Sequence, residues 1–419
     1  MNRRELFRWS MAAAAGGAVM PAFANRPSQS SAAASQPVLL RIHSHNVELA
    51  PGVVFASLAC NSQRNGPWLA VPGTNPITLS VINDANTTLV VHSPALGRDL
   101  QLPSGGRVEA VYQSQSRLGG LSAASGKVSG LAGIFAASAR TPNHDQNCFM
   151  PIHHWPILAD TGVQPRARRC FRHATLGDKL LYASEPIRVR EGQLILFDFY
   201  HAGTTYAGTA PGVSLHLPHH AFKILTLDGY PVPRPRLVDH LFIGPGERVQ
   251  ALVHMSNPGR WILGALDRKH RMAGFGRIVE YAHARGGALQ APLQRPKWHY
   301  HWFAQPGDER SNAAPMEVVF RPVGQSSAAA EKPARRAVRH VDVMPGTRYR
   351  LAVFNLAQGH SISLRGHSVE LVSVAGKSLR GLTKDTMALP AFAKVELEFT
   401  AKTAQIELLH GPNVAAAAS

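Results

Sequence analysis

One stretch of this chain occurs twice, and that duplication limits its folds more than any other feature. Leu215 through Gly229 aligns without a gap on Ile362 through Gly376. His220 falls on His367, Phe222 on Val369 and Ile224 on Leu371, and further on Asp239 pairs with Asp385, one residue off that offset. A repeat longer than about 50 residues marks duplicated domains rather than a solenoid. Both copies lead from alternating residues through a turn into an apolar strand that ends at a glycine turn.

The rest of the chain is of the same kind. Ile77-Thr78-Leu79-Ser80-Val81 alternates apolar and polar residues, as a half-buried strand does. Thr88–His92, Gly130–Phe135, Pro186–Arg190, Leu194–Phe199 and Phe222–Leu227 read as further strands. Asn83–Asn86, Asp228-Gly229 and Asn257-Pro258-Gly259 read as turns, and Pro231–Pro235 as an extended loop. With 30 Pro, 36 Gly and no long amphipathic helix, the pattern predicts Greek-key β-sandwiches or barrels. The 419 residues suffice for two to four domains, and 45% hydrophobic content supports packed cores. Composition and turn signals divide the chain into domains at 39–140, 150–283 and 316–413, with a linker at 284–315. Residues 325–336 read as a surface loop.

The amino-terminal residues 1–24 read as a twin-arginine signal peptide. Arg3-Arg4 precedes a short apolar run, and Ala22-Phe23-Ala24 offers small residues for cleavage. Residues 25–38 then form a flexible tether. The expected product is periplasmic, with no transmembrane anchor. The formal charge of +18 comes from scattered Lys and Arg and reads as a generally basic surface, with binding to an acidic envelope partner as the alternative, whereas export argues against nucleic acid. An oxidising compartment allows one disulfide among Cys60, Cys148 and Cys170. Cys148 and Cys170 lie in one short segment, so the expected bridge joins them and leaves Cys60 buried and free.

Two stretches carry the functional question: His360-Ser361-Ile362-Ser363-Leu364-Arg365-Gly366-His367 and Leu408-Leu409-His410-Gly411-Pro412. They resemble the copper-ligand region in the last domain of a multicopper oxidase. Glu185–Gly192, His220-x-Phe222, Asp228-Gly229 and Gly244–Val249 resemble the middle domain of that family. The resemblance implies three consecutive cupredoxin-like Greek-key sandwiches. It also implies four copper ions, held by a cysteine thiolate and paired histidines.

This chain departs from that ligand set. Ser363 and Arg365 stand at two histidine positions, and Gly411 stands at the thiolate position. In the first domain His92 remains, Pro94 replaces its partner, and residues 119–129 contain no histidine. Nothing after His410 supplies a further His or a Met. His92, His360 and His410 are therefore vestigial ligand positions. No copper is expected to bind at them, and no residue is assigned a catalytic role.

Other clusters are weaker. His216, His219 and His220, joined by His153 or His154, form an alternative mononuclear site, set against a structural role for His220 as the echo of His367. His299 and His301 sit among aromatics that suggest packing. There is no G-x-S-x-G, H-E-x-x-H or phosphate-cradling glycine loop.

The resemblance extends to the FtsP (SufI) cell-division branch of the superfamily, which combines export with missing copper ligands. The reading is an exported, non-catalytic scaffold with envelope or division-site partners and no cofactor. The alternatives are a divergent copper oxidoreductase and a periplasmic copper-binding protein.

Overall fold

A computed structural model describes residues 38–61, 68–71, 77–92, 100–112, 118–125, 128–137, 143–155, 171–202, 211–294, 296–307, 311–322, 337–356, 360–389, 392–410 and 414–418. The signal segment, Pro94, Cys170, the 325–336 loop and Gly411 lie outside these residues. Strands make up 60% of the protein and helix 4%, so it is an all-β fold.

The strands form three pairs of sheets in chain order. Each pair opens in the same way. Its first long strand runs parallel to a later strand of the same sheet: Val38–Ala50 beside Ile77–Asn83, Gln146–Trp155 beside Leu194–His201, and Ala314–Pro322 beside Arg348–Asn355. Strands joined by short turns pair antiparallel, so a parallel neighbour requires the chain to leave and return, as a Greek key does.

The duplicated stretch folds into matching structures. Asp228 and Gly229 have φ of 52° and 84°, and Ala375 and Gly376 have 48° and 79°. Two successive positive φ values give the turn whose twist matches a β-hairpin. A bulge falls between Ile224 and Thr226 in one copy and between Leu371 and Ser373 in the other. His219 and Gly366 share the left-handed conformation at the preceding turn, with φ of 60° and 73°.

Among the described residues the buried apolar side chains fall into three clusters. Phe197, Phe199, Phe222 and Phe275 of the second sheet pair belong to one continuous apolar cluster with Phe320, Leu351 and Leu397 of the third. A polar network crosses the same junction. The Lys384 ammonium, fully buried, lies 3.1 Å from Asp228 Oδ2 and 3.2 Å from Glu247 Oε1. Tyr300 donates its hydroxyl to Glu247 at 2.5 Å, and Ala388 donates its N–H to the same oxygen at 3.1 Å. The first sheet pair has its own cluster around Leu40, Ile42, Leu58 and Val81. A small third cluster, with Leu49 and Phe55 from the first pair and Trp155 and Leu180 from the second, joins it to the rest.

Several expectations need correction. Pro231–Pro235 is not a loop but part of the strand Tyr230–Val238. That strand lies at the edge of its six-stranded sheet, where a proline removes no ladder hydrogen bond. The strands Ala314–Pro322 and Val414–Ala418 pair with each other, and each reaches past an expected boundary of 316–413. Cys148 is a free thiol in the second pair's core, pushed up to about 11 by burial, so it forms no bridge to Cys170. Cys60 is also buried and free, as expected, and burial pushes it up to about 12.

Candidate functional site

The strand His360–Leu364 lies between Thr386–Leu389 and Gln405–His410 in a four-stranded sheet of the third pair. The register sets Ile362 opposite His410, and His360 opposite Leu389. His360 and His410 are therefore carried on neighbouring strands. His92 closes the strand Leu89–His92 in the first pair and faces Ser122 on the strand Leu118–Ser125. That partner strand overlaps the stretch 119–129 that has no histidine.

Ser363 is half-buried on the ligand strand. Arg365 follows at the turn, where its N–H donates to Glu407 O at 2.8 Å and its guanidinium forms an ion pair with the Glu407 carboxylate. The two side chains are 17% and 29% exposed, so the pair is partly shielded from water. A guanidinium keeps its charge at any working pH. One of the copper-ligand positions implied by the resemblance is thus occupied by a fixed cation with its own counter-ion.

His367 and His220 hold equivalent places, and both rings are fully engaged. His367 Nδ1 donates to Arg365 O at 2.8 Å, and Nε2 accepts the Lys402 N–H at 3.0 Å. His220 Nδ1 donates to Pro218 O at 2.7 Å, and Nε2 accepts from the Tyr281 hydroxyl at 2.5 Å. Each ring reaches the carbonyl two residues back and braces its turn. Burial lowers the pKa of both, with the carbonyl contact opposing it, so both stay neutral.

The other histidines of that expected alternative site, His216, His219 and His154, do not converge on one point. His219 is exposed and leans on Trp261 in a tilted contact, with 4.7 Å between centroids. His216 faces His240 across two strands. His240 is held by Asp239 Oδ1 at 2.6 Å and Lys297 O at 3.0 Å. His154 lies in the other sheet, against His201 and His270. Among the described residues no group of three or more His, Cys, Asp or Glu side chains is arranged to hold a metal ion.

The aromatic linker packs into the junction. Tyr300 and Phe303 are buried in the shared core, while the His299 and His301 rings lie 5.1 Å apart. Sequence reasoning missed His201, His270, Glu407 and Lys384. The only local signal was Asp267 three residues before His270, a helix-cap spacing.

Residues 194–281 match the Multicopper oxidase family. No curated protein matches the chain. Among solved structures, a multi-copper oxidase from Pseudomonas thermotolerans superposes with a TM-score of 0.65 at 18% identity, covering 90% of this chain and 98% of that one. Lac15 from a marine microbial metagenome gives 0.62 at 17% identity, with coverages of 90% and 97%. The laccase-like multi-copper oxidase CueO from an Ochrobactrum species gives 0.65 at 16% identity, with coverages of 88% and 91%. The fold is that of the multicopper oxidases, and the stretch 194–281 carries that family's sequence pattern. Identities this low establish architecture and leave activity to the site residues.

Proposed function

We propose that this protein is an exported member of the multicopper-oxidase fold that does not perform four-copper oxidase chemistry and serves as a non-catalytic envelope scaffold. The observation that carries the reading is the ion pair of Arg365 with Glu407 beside Ser363. A copper cluster is itself strongly cationic, and imidazoles hold it by donating lone pairs. A guanidinium has no lone pair to give and adds like charge. Glu407 neutralises that charge, which makes the site self-sufficient. These residues do not fit a copper-cluster position.

The scaffold role rests on the FtsP resemblance, and export on Arg3 and Arg4. Among the described residues no helix is long and apolar enough to cross a membrane. Two measurements test the proposal. Copper-loaded protein is expected to show no blue absorption and no oxygen-dependent oxidation of phenols. A full oxidase complement of copper with chelator-sensitive turnover would restore the oxidoreductase alternative. Replacing Arg3 and Arg4 by Lys is expected to trap unprocessed precursor in the cytoplasm, and normal processing would overturn the export route.

A further inference from the structure

The seven-stranded sheet of the third pair carries a groove of about 550 Å3. That volume lies within the roughly 300–1,000 Å3 of small-ligand clefts. Val372 and Leu379, 7% and 8% exposed, give it an apolar floor. Its other walls are charged, with Arg348, Arg350 and Arg380 set against Glu370 and Glu398. Ser311 and Asn312, just before the strand Ala314–Pro322, complete the lining.

The register explains why these charges gather. Leu351, Leu371 and Leu397 point into the core, so Arg350, Glu370 and Glu398 on the same three strands point to the opposite face. Glu398 lies opposite Arg350 on one side and opposite Glu370 on the other. Two facing carboxylates repel. Arg348 reconciles them: its Nε lies 2.7 Å from Glu398 Oε2, and its Nη2 donates to Glu370 Oε2 at 3.3 Å. Glu398 is 5% exposed and also holds Arg350 Nε at 3.3 Å. Glu370 Oε1 accepts the Gly381 N–H at 2.9 Å, which fixes that carboxylate beside the backbone of Arg380. Arg380 itself is exposed, and its side chain makes no hydrogen bond or ion pair among the described residues. Three guanidinium groups thus face two carboxylates, and one positive charge is left that no described lining residue balances.

We propose that this groove binds a short peptide by its free terminal carboxylate, forked between Arg348 and Arg380. A planar carboxylate matches a guanidinium in both geometry and charge. The contacts of Arg348 use Nε and Nη2 of a group with five N–H donors, so donors remain for a ligand. Glu370 touches Arg348 with one oxygen and the residue after Arg380 with the other. It is 33% exposed, so it can accept a peptide N–H, and it repels a second anionic group. A single carboxylate is therefore favoured over phosphate or a polyanion. Ser311 Oγ already accepts the Ala313 N–H at 3.1 Å, which leaves its hydroxyl proton to donate to a peptide carbonyl. The last side chain of the peptide lies on Val372 and Leu379. The site stands on its own residues and does not depend on the scaffold reading.

The test is calorimetric titration of the full chain at low ionic strength with the peptide acetyl-Ala-Ala-Leu, as the free acid and as its terminal amide. The free acid is expected to bind one equivalent, and the amide to bind at least about 10-fold more weakly, because its charge-assisted hydrogen bonds are gone. Arg380→Gln is expected to weaken the free acid about 10–100-fold. Arg380 has no partner to strand, so this variant folds as the wild type does and carries the test even if Arg348→Gln, which strips a cation from two carboxylates, fails to fold. Arg188→Gln removes the same charge from an exposed position of the second sheet pair and is expected to bind as the wild type does. Added salt is expected to weaken binding. Absence of binding at millimolar free acid, equal binding of the amide, unchanged affinity in Arg380→Gln, or displacement of the peptide by an equal concentration of inorganic phosphate would each overturn the proposal.

Discussion

The first sheet pair and the later two are built alike and closed differently. In all three the first long strand is paired parallel. The second and third pairs then share one apolar cluster and a buried network of Lys384, Asp228, Glu247 and Tyr300. Among the described residues the first has its own cluster around Leu40 and Leu79, and Leu49 and Phe55 meet Trp155 and Leu180 of the second. Area removed from water drives cooperativity, so the later two should unfold together and the first more independently. Denaturant unfolding of the full chain is expected to show two transitions, the first of them with the smaller m-value.

The comparison breaks most strongly at Lys384. Lys384→Ala leaves two carboxylates buried without their cation, a loss of about 3–5 kcal/mol. Only the later, larger transition should move, and an equal shift in both would refute separate units. Leu180→Ala should act on the joint instead, costing about 2–3 kcal/mol, at the low end for buried leucines because a small cluster collapses readily. Its signature is a wider gap between the two transitions, read by fluorescence and by circular dichroism.

A pH series sharpens the contrast. Asp385 lies in the junction, and burial followed by the charge of Asp228 raises its pKa to about 8. The folded state holds this proton more tightly than the unfolded chain, whose value is near 3.8. Its contribution is therefore complete below about pH 4 and lost as pH rises through about 8. The later transition should weaken from pH 5 to pH 8, and Asp385→Asn should flatten that slope while leaving the first transition unchanged. A slope equally steep in the variant would remove Asp385 from the account. The smallest effect expected is that of a reductant. With Cys60 and Cys148 free, dithiothreitol should leave both midpoints where they were.

Local pattern carried much of this architecture. Alternation in Ile77–Val81, the Asp228-Gly229 turn and the gapless repeat all answer to interactions within a few residues, and all appear in the backbone. Proline misled at Pro231–Pro235 because a strand's place in its sheet, central or edge, decides whether a missing N–H matters. Spacing misled at Cys148, where proximity in the chain carries no information about which way a side chain faces.

The sequence by itself determined the all-β class, the duplicated stretch with its glycine turn, and the substitution of Ser363 and Arg365 at positions where the resemblance implies histidine. These follow from residue identity and short-range geometry. Only the tertiary structure decided that Arg365 meets Glu407, that Lys384 bridges two sheet pairs, and that His154 faces His270 across 116 residues. Such contacts join strands brought side by side by sheet order. The free energy that selects them comes from burying charge with its partner, a cost that no local window of residues contains.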